Sequence, residues 1–285
     1  MKSSLFILFQ HLVPQHWLSR IVGKLADCEA PWVKNRFISW FAKKYQINMS
    51  EALEEIPTAY ASFNAFFTRE LKPGVRPIDE TERAVVSPAD GAFSQLGDIE
   101  YGRIFQAKGQ SYGLTTLLGG DEKTAAPFKN GYFATIYLSP RDYHRVHMPI
   151  TGTLRETIYV PGDLFSVNQT TAENVDQLFA RNERLVAIFD TEAGPMAMVL
   201  VGAMIVAGIE TVWAGQVAPV LKQATRQTYL PQEQAPIVLE KGQEMGRFKL
   251  GSTVILVFGP EAIEWVDTIK ATSPVKLGEK IATLT

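Results

Sequence analysis

The chain of 285 residues is 46% hydrophobic and 20% charged, a composition that belongs to a folded globular protein and excludes disordered and fibrous classes. Its 28 basic and 30 acidic side chains leave a net charge of −2, with no overall basic surplus to attract nucleic acid. A single cysteine, Cys28, excludes an internal disulfide and the paired thiols of a structural zinc or thioredoxin-like site, and fits a reducing, cytosol-facing setting.

The near-neutral total hides an uneven distribution. Residues 1–48 carry seven basic side chains against two acidic ones, a surplus of five, while the other 237 residues hold 21 basic and 28 acidic ones, a deficit of seven. In the basic segment Leu5, Leu8, Phe9, Leu12 and Val13 recur at helical spacing, and after Pro14 the pattern resumes with Trp17, Leu18, Ile21, Val22 and Leu25. Val33, Phe37, Trp40, Phe41 and Tyr45 repeat it beside Lys34, Arg36, Lys43 and Lys44. Short amphipathic helices are predicted. The apolar run over residues 5–9 is far shorter than the roughly 20 residues that cross a bilayer. No small-residue cleavage site follows it, so neither a spanning helix nor a secretory signal is expected. Two partners suit such faces. One is the protein's own core; the other is a membrane interface, with aromatic and aliphatic side chains at the acyl boundary and lysines on anionic headgroups.

Asn48 followed by Glu51 predicts a helix start, and Phe63, Phe66, Phe67 and Leu71 a further helical element that Pro73-Gly74 breaks. Beyond Pro77 the texture changes to β-structure, with strands expected over residues 84–86, 132–138, 185–189, 196–209 and 253–258. Gly202 and Gly208 within the fourth of these favour strands with a bend over a buried helix. The expected fold class is α+β: a β-rich, mainly antiparallel body over residues 61–285 behind a helical region over residues 1–60.

Three local features can carry chemistry. In Leu250-Gly251-Ser252-Thr253, inside the apolar run 248–258, a single strand would put Phe248, Leu250, Ser252, Val254 and Leu256 on one face and aim the Ser252 hydroxyl into apolar surroundings. The plain reading is a β-bulge. The chemical reading is a self-cleaving serine, whose hydroxyl attacks the carbonyl of its own preceding residue and moves the acyl group from nitrogen to oxygen. Glycine before it tolerates the strained backbone angles this requires, and hydrogen-bond donors must stabilise the oxyanion. A base that then removes the serine Cα proton eliminates the ester, and hydrolysis of the resulting dehydroalanine leaves a pyruvoyl group and ammonia.

The second feature, Tyr143-His144-Arg145-Val146-His147-Met148-Pro149, holds two of the four histidines. Pro140 and Pro149 bracket it against a helix, and an ideal strand would point the two rings to opposite faces. Surface polarity, a two-histidine metal pair, and acid–base groups with an ordinary pKa of about 6.5 are the available readings. The third, Ser87-Pro88-Ala89-Asp90-Gly91, reads as a hairpin turn or as a carboxylate that orients a histidine. Asp90, His147 and Ser252 together supply an orienter, a base and a nucleophile.

These three motifs resemble those of bacterial phosphatidylserine decarboxylase proenzymes, and the likeness extends in order through residues 63–77, 160–168 and 208–215. The resemblance implies that Ser252 is both the self-cleaving nucleophile and the source of the covalent pyruvoyl cofactor, the Schiff-base partner of the substrate amine, with no metal or pyridoxal phosphate. It implies Asp90 as orienter and His147 as base in maturation, His144 as a decarboxylation residue, and Ser166 as a polar contact to substrate. Cleavage between Gly251 and Ser252 would leave a β chain, residues 1–251, and an α chain, residues 252–285, folded together. The expected reaction turns phosphatidylserine into phosphatidylethanolamine and CO₂ in phospholipid biosynthesis. The expected setting is peripheral, on the anionic cytoplasmic face of the bacterial membrane, in a homodimer. A Ser-His-Asp lipid hydrolase and a non-enzymatic membrane-binding protein are the alternatives. The hydrolase lacks a G-x-S-x-G elbow.

Overall fold

The computed structural model describes residues 2–204, 208–218, 223–232, 235–249 and 252–285. The side chains of Leu5 and Phe9, and Leu250 and Gly251 altogether, lie outside the described residues. Three helices open the chain: α1 (Lys2–Leu12), α2 (Gln15–Ala26) and α3 (Pro31–Tyr45). Pro14, which cannot continue the α1 hydrogen-bond ladder, separates the first two, and Pro31 starts the third at a first-turn position where no amide is needed. The Asn48 signal makes only a single 3₁₀ turn, Met49–Glu51. A one-turn helix, α4 (Phe63–Phe67), is capped by Ser62, whose hydroxyl accepts from the Ala65 amide at 3.2 Å. Ala26, Ile38 and Phe41 pack with Phe63, Phe66 and Phe67 of α4 in one aromatic cluster.

The strands in chain order are β1 (Ala84–Val86), β2 (Gly91–Asp98), β3 (Arg103–Ala107), β4 (Gln110–Gly113), β5 (Tyr132–Leu138), β6 (Arg145–His147), β7 (Gly152–Val160), β8 (Arg184–Thr191) and β9 (Gly194–Gly202). They continue with β10 (Gly208–Thr211), β11 (Gly215–Ala218), β12 (Thr225–Thr228), β13 (Val238–Leu239), β14 (Glu244–Lys249), β15 (Ser252–Phe258), β16 (Ile263–Trp265), β17 (Pro274–Val275) and β18 (Lys280–Leu284). The largest sheet runs β12-β7-β8-β9-β15-β5-β2-β17, with β13 also on β7; β11-β10-β14-β6 and β1-β18-β16 form smaller sheets, and β3-β4 a hairpin. The ladders are antiparallel, so the α+β, β-rich architecture expected from the residue pattern is the one observed.

Strand β15 lies between β9 and β5, and its seven residues are all buried. Val254, Leu256 and Phe258 enter one apolar layer and Ile255 and Val257 the other. Burial on both faces is the reason this strand reads as an unbroken apolar run. The strand expected over 253–258 is β15, but the apolar run 248–258 is not one strand: β14 ends at Lys249 and β15 begins at Ser252, in different sheets. The split lets Phe248, from the smaller sheet, meet Val254 and Leu256 in the layer between the sheets. Asp90-Gly91 also departs from the hairpin reading, because β1 and β2 belong to different sheets and the chain crosses between them here.

Helix α2 is amphipathic in an inverted sense. Its buried residues are Gln15, Ser19, Gly23 and Ala26, whereas Trp17, Ile21 and Leu25 are exposed, Trp17 at 63%. Leu8 and Leu12 of α1 and Trp32 and Trp40 of α3 are exposed as well. No helix among the described residues is long and apolar enough to cross a membrane.

Gly91 carries the crossing beside Asp90. A Cβ there would lie 2.3 Å from the Tyr137 carbonyl oxygen on β5, a backbone atom that cannot swing aside. Gly91→Ala is expected to cost about 2–3 kcal/mol through overpacking, read as a lower urea midpoint at unchanged m-value.

Candidate active site

Ser252 is the first residue of β15 and pairs with Leu138 at the end of β5 and with Gly202 at the end of β9. Its side chain shares a strand face with Val254 and points into the layer between the sheets. The hydroxyl is fully buried and has no hydrogen-bond partner among the described residues, and the Thr253 hydroxyl beside it is in the same condition. Leaving such a group unpaired costs about 1–3 kcal/mol, so Ser252 is a poor choice for stability alone. An unpaired serine hydroxyl retains both its proton and its lone pairs for chemistry. Gly251, the other half of the expected cleavage point, lies outside the described residues.

His144 is held against the chain on both sides of this point. Its carbonyl accepts from the Phe248 amide at 3.0 Å, four residues before Ser252, and it follows Leu138 by six residues. Its ring is fully buried, with its centroid 4.0 Å from that of Phe67. Nδ1 lies 2.8 Å from the Asp142 carbonyl. A carbonyl oxygen only accepts, so Nδ1 carries the proton and Nε2 presents a bare lone pair. Nε2 has no partner among the described residues. Burial pushes this imidazole down to about 3, with the nearby Arg69 charge acting in the same direction.

His147 is built differently. Its Nδ1 donates to the Gly242 carbonyl at 2.8 Å, and Nε2 accepts from the Tyr143 hydroxyl at 3.2 Å. Burial lowers its pKa, opposed by the Gly242 carbonyl and by the charges of Glu244 and Asp90. The strand that carries it is anchored through Arg145, which donates to the Thr68 carbonyl at 2.9 Å and pairs with Glu244 at 2.9 Å and Glu70 at 3.2 Å. Register puts His147 opposite Glu244, while His144 lies beside Phe248 and so nearer in chain terms to Ser252.

Asp90 accepts from Arg76, whose Nε lies 2.9 and 3.1 Å from the two carboxylate oxygens and whose Nη2 lies 2.6 Å from one of them, and from the Leu277 amide at 2.9 Å. The Asp90 hydrogen bonds in turn raise the Arg76 pKa above its ordinary value. The segment before Asp90 runs beside β6, with the His147 amide donating to the Pro88 carbonyl at 2.8 Å. Among the described residues no hydrogen bond joins Asp90 to His147, or either of them to Ser252; Asp90 reaches His147 through its charge. Neither Arg76 nor Tyr143 was singled out by its residue pattern. Tyr143 stands in the histidine motif four residues before His147, which was the available signal, whereas Arg76 offers none before the fold brings it to Asp90.

Ser166 is half-buried in an irregular stretch between β7 and β8. Its amide donates to Gln10 Oε1 at 2.8 Å, so the expected substrate loop is gripped from the N-terminal helices. Asn182 holds the same loop from the other side, bonding the Phe165 amide at 3.2 Å, the Phe165 carbonyl at 2.8 Å and the Gly202 carbonyl at 2.9 Å. Gly202 is the cross-strand neighbour of Ser252. The loop is thereby fixed to the Ser252 end of the sheet.

The residues fit a pyruvoyl group formed from Ser252: a buried hydroxyl, unpaired among the described residues, at a strand start, with the neutral His144 tied to the strand that precedes it. The sequence model of the family described as phosphatidylserine decarboxylase matches residues 63–283, and a second, described as PSD, matches residues 5–46. A phosphatidylserine decarboxylase proenzyme of Pseudomonas entomophila is 65% identical over 282 residues, 99% of this chain and 98% of its own length. Proenzymes of the same description from Pseudomonas putida and Pseudomonas fluorescens are 64% and 63% identical over 282 residues, each covering 99% of this chain and respectively 98% and 99% of their own lengths. With likeness of this extent across both the helical and the β-rich parts, the chain belongs to the phosphatidylserine decarboxylase family of enzymes.

Proposed function

We propose that the chain is a proenzyme that cleaves itself at Gly251-Ser252 and then decarboxylates phosphatidylserine to phosphatidylethanolamine at a membrane surface. The observation that carries the reading is the Ser252 hydroxyl, buried and without a partner among the described residues at the first position of the central strand. In maturation the Ser252 oxygen bonds to the Gly251 carbonyl carbon, the Gly251–Ser252 C–N bond breaks, and the serine nitrogen takes up a proton. Removal of the Ser252 Cα proton then expels the Gly251 carboxylate, and water replaces the nitrogen of the resulting dehydroalanine, releasing ammonia.

His147 suits the base in this sequence, since its Nδ1–H is committed to Gly242 and its Nε2 accepts from the Tyr143 hydroxyl, through which a proton can be relayed to it. Asp90, held by Arg76 and the Leu277 amide, would stabilise the imidazolium through charge rather than through a direct hydrogen bond.

In the second reaction the pyruvoyl group would supply a carbonyl that takes up the electron pair released as CO₂ departs. His144, neutral and with a bare Nε2, would hold and move a proton beside it. The apolar layer around Val254, Leu256 and Phe248 excludes water from the substrate carboxylate, which favours its loss as neutral CO₂. Ser166 would contact the polar headgroup.

A two-chain lipid has to be met at the bilayer. The inverted amphipathicity of α2 supports docking there: the face that a soluble protein would bury is the face left outside, with Arg20 and Lys24 on the same helix for anionic headgroups. The surplus of positive charge in residues 1–48 favours the anionic cytoplasmic leaflet.

Three outcomes are expected. Denaturing intact-mass analysis should find two species dividing at Gly251/Ser252, with a blocked N-terminus on the 34-residue piece; one unmodified full-length species in active protein would sink the mechanism. Ser252→Ala and His147→Ala should stay full length by the same measurement, whereas His144→Ala should divide normally yet lose at least ~100-fold in CO₂ release. A His144 variant defective in cleavage alone would exchange the roles of the two histidines. Replacing both Leu12 and Trp17 by Glu should weaken partition onto anionic vesicles at least ~tenfold in a sedimentation assay, and unchanged partition would remove α1 and α2 from the docking surface.

A further inference from the structure

Two glutamines, Gln10 near the end of α1 and Gln15 at the start of α2, flank the Val13-Pro14 break, and both are buried, Gln10 completely. Buried glutamine is uncommon unless its amide is satisfied, and here both side-chain oxygens find partners more than 140 positions away in the chain. Gln15 Oε1 accepts from the Leu164 amide at 2.6 Å and Gln10 Oε1 from the Ser166 amide at 2.8 Å. The remaining amide hydrogens tie the pair together and to the loop's end: Gln15 Nε2 donates to the Gln10 carbonyl at 2.8 Å, and Gln10 Nε2 to the Thr171 hydroxyl at 3.3 Å. His16 donates from Nε2 to the Gly162 carbonyl at 3.0 Å, and the His11 ring meets Phe165 edge-on at 4.9 Å.

The loop has no partner strand for residues 164 and 166, so side chains take the place of a sheet neighbour. Alternate residues are held from opposite sides. Leu164 and Ser166 go to the glutamines, and Phe165 goes to Asn182, which also bonds the Gly202 carbonyl. Leu164 Cδ2 is 3.6 Å from where a Gly202 Cβ would stand, and Gly202 pairs with Ser252. A short mechanical path therefore runs from the helices with exposed Leu8, Leu12, Trp17 and Ile21 to the reactive strand end. A cavity of about 380 Å³ opens along this path, bounded by Trp17, Arg20, Ile21 and Lys24 of α2 and by Leu164 and Gln216.

We propose that Gln10 and Gln15 are positioning residues: their side-chain oxygens set the shape of loop 162–168 over the Ser252 end of the sheet, so that capture of the lipid headgroup depends on how α1 and α2 are seated. The proposal rests on the reading that this end of the sheet is the active site and that α1 and α2 meet the bilayer. It adds that the same two helices shape the headgroup site as well as dock the protein.

The test compares the mature two-chain parent with Gln10→Leu/Gln15→Leu, which keeps volume and removes the acceptors, with the single Gln10→Leu, and with Gln10→Glu, which keeps an acceptor oxygen at 10 and can take a hydrogen bond from the Thr171 hydroxyl in place of the one Gln10 donates to it. Hydrogen exchange in peptide 162–168 should quicken about tenfold in the double Leu variant, as expected for losing two backbone-directed bonds. On phosphatidylserine in mixed anionic vesicles its KM, expressed as surface mole fraction, should rise about tenfold with kcat within about twofold. Chain division and vesicle sedimentation should match the parent, and Gln10→Glu should keep KM within about twofold of it. Unchanged exchange in 162–168 would overturn the latch, as would a KM that rises only in step with lost vesicle binding, or a Gln10→Glu protein as impaired as the single Gln10→Leu. Failure of the underlying functional reading would show separately, in the parent itself, as intact phosphatidylserine.

Discussion

The structure is organised around one central strand buried on both faces. β15 is enclosed between β9 and β5 and between two apolar layers, and that enclosure places the Ser252 hydroxyl where water cannot reach it and no group among the described residues bonds it. The cost of such a group has to be met by the packing around it, and the alternating apolar side chains from Val254 to Phe258 supply that packing. A hydroxyl held this way is rigid and desolvated, the properties that the proposed self-cleavage and the proposed later role in decarboxylation require.

Charge is arranged with the same economy. Asp90 is satisfied by a guanidinium and a backbone amide, so its negative charge is fixed in place near His147 without occupying either ring nitrogen. Both histidines are kept neutral by burial and have their Nδ1 protons assigned by carbonyl oxygens. They differ at Nε2, which faces the Tyr143 hydroxyl in His147 and nothing among the described residues in His144. Two chemically identical side chains three residues apart are thus given distinct proton-transfer capacities by their surroundings, which is the division of labour that two successive reactions require.

The helical region joins this centre at two places. Through Phe67 against His144 and Thr68 against Arg145, the aromatic cluster of α3 and α4 braces the histidine segment. Through Gln10 and Gln15, α1 and α2 brace the loop over the other side of the strand end. Helices that turn small and polar residues inward and tryptophan outward contribute little core of their own. Their hold on the body is instead a set of directed hydrogen bonds, which specify position more sharply than apolar contact does.

Much of this was legible in the residues. Period and composition located the three N-terminal helices and strands such as β5, because helix and strand periodicities depend only on neighbours along the chain. The motifs around Asp90, His144, His147 and Ser252 mark the groups on which the proposed chemistry rests, because cleavage by a serine on its preceding residue would be local in sequence. What the chain alone left open was which face of α2 points outward, whether residues 248–258 form one strand or two, and which partners hold Asp90 and His147. Each of these is decided by groups far apart in sequence, such as Arg76 with Asp90, Gly242 with His147 and Gln15 with Leu164, and only folding brings them within hydrogen-bonding distance. Sequence determined the candidate reactive groups and the local elements that carry them; tertiary structure decided their protonation, their exposure and their neighbours, because those depend on burial and on contacts that no local pattern encodes.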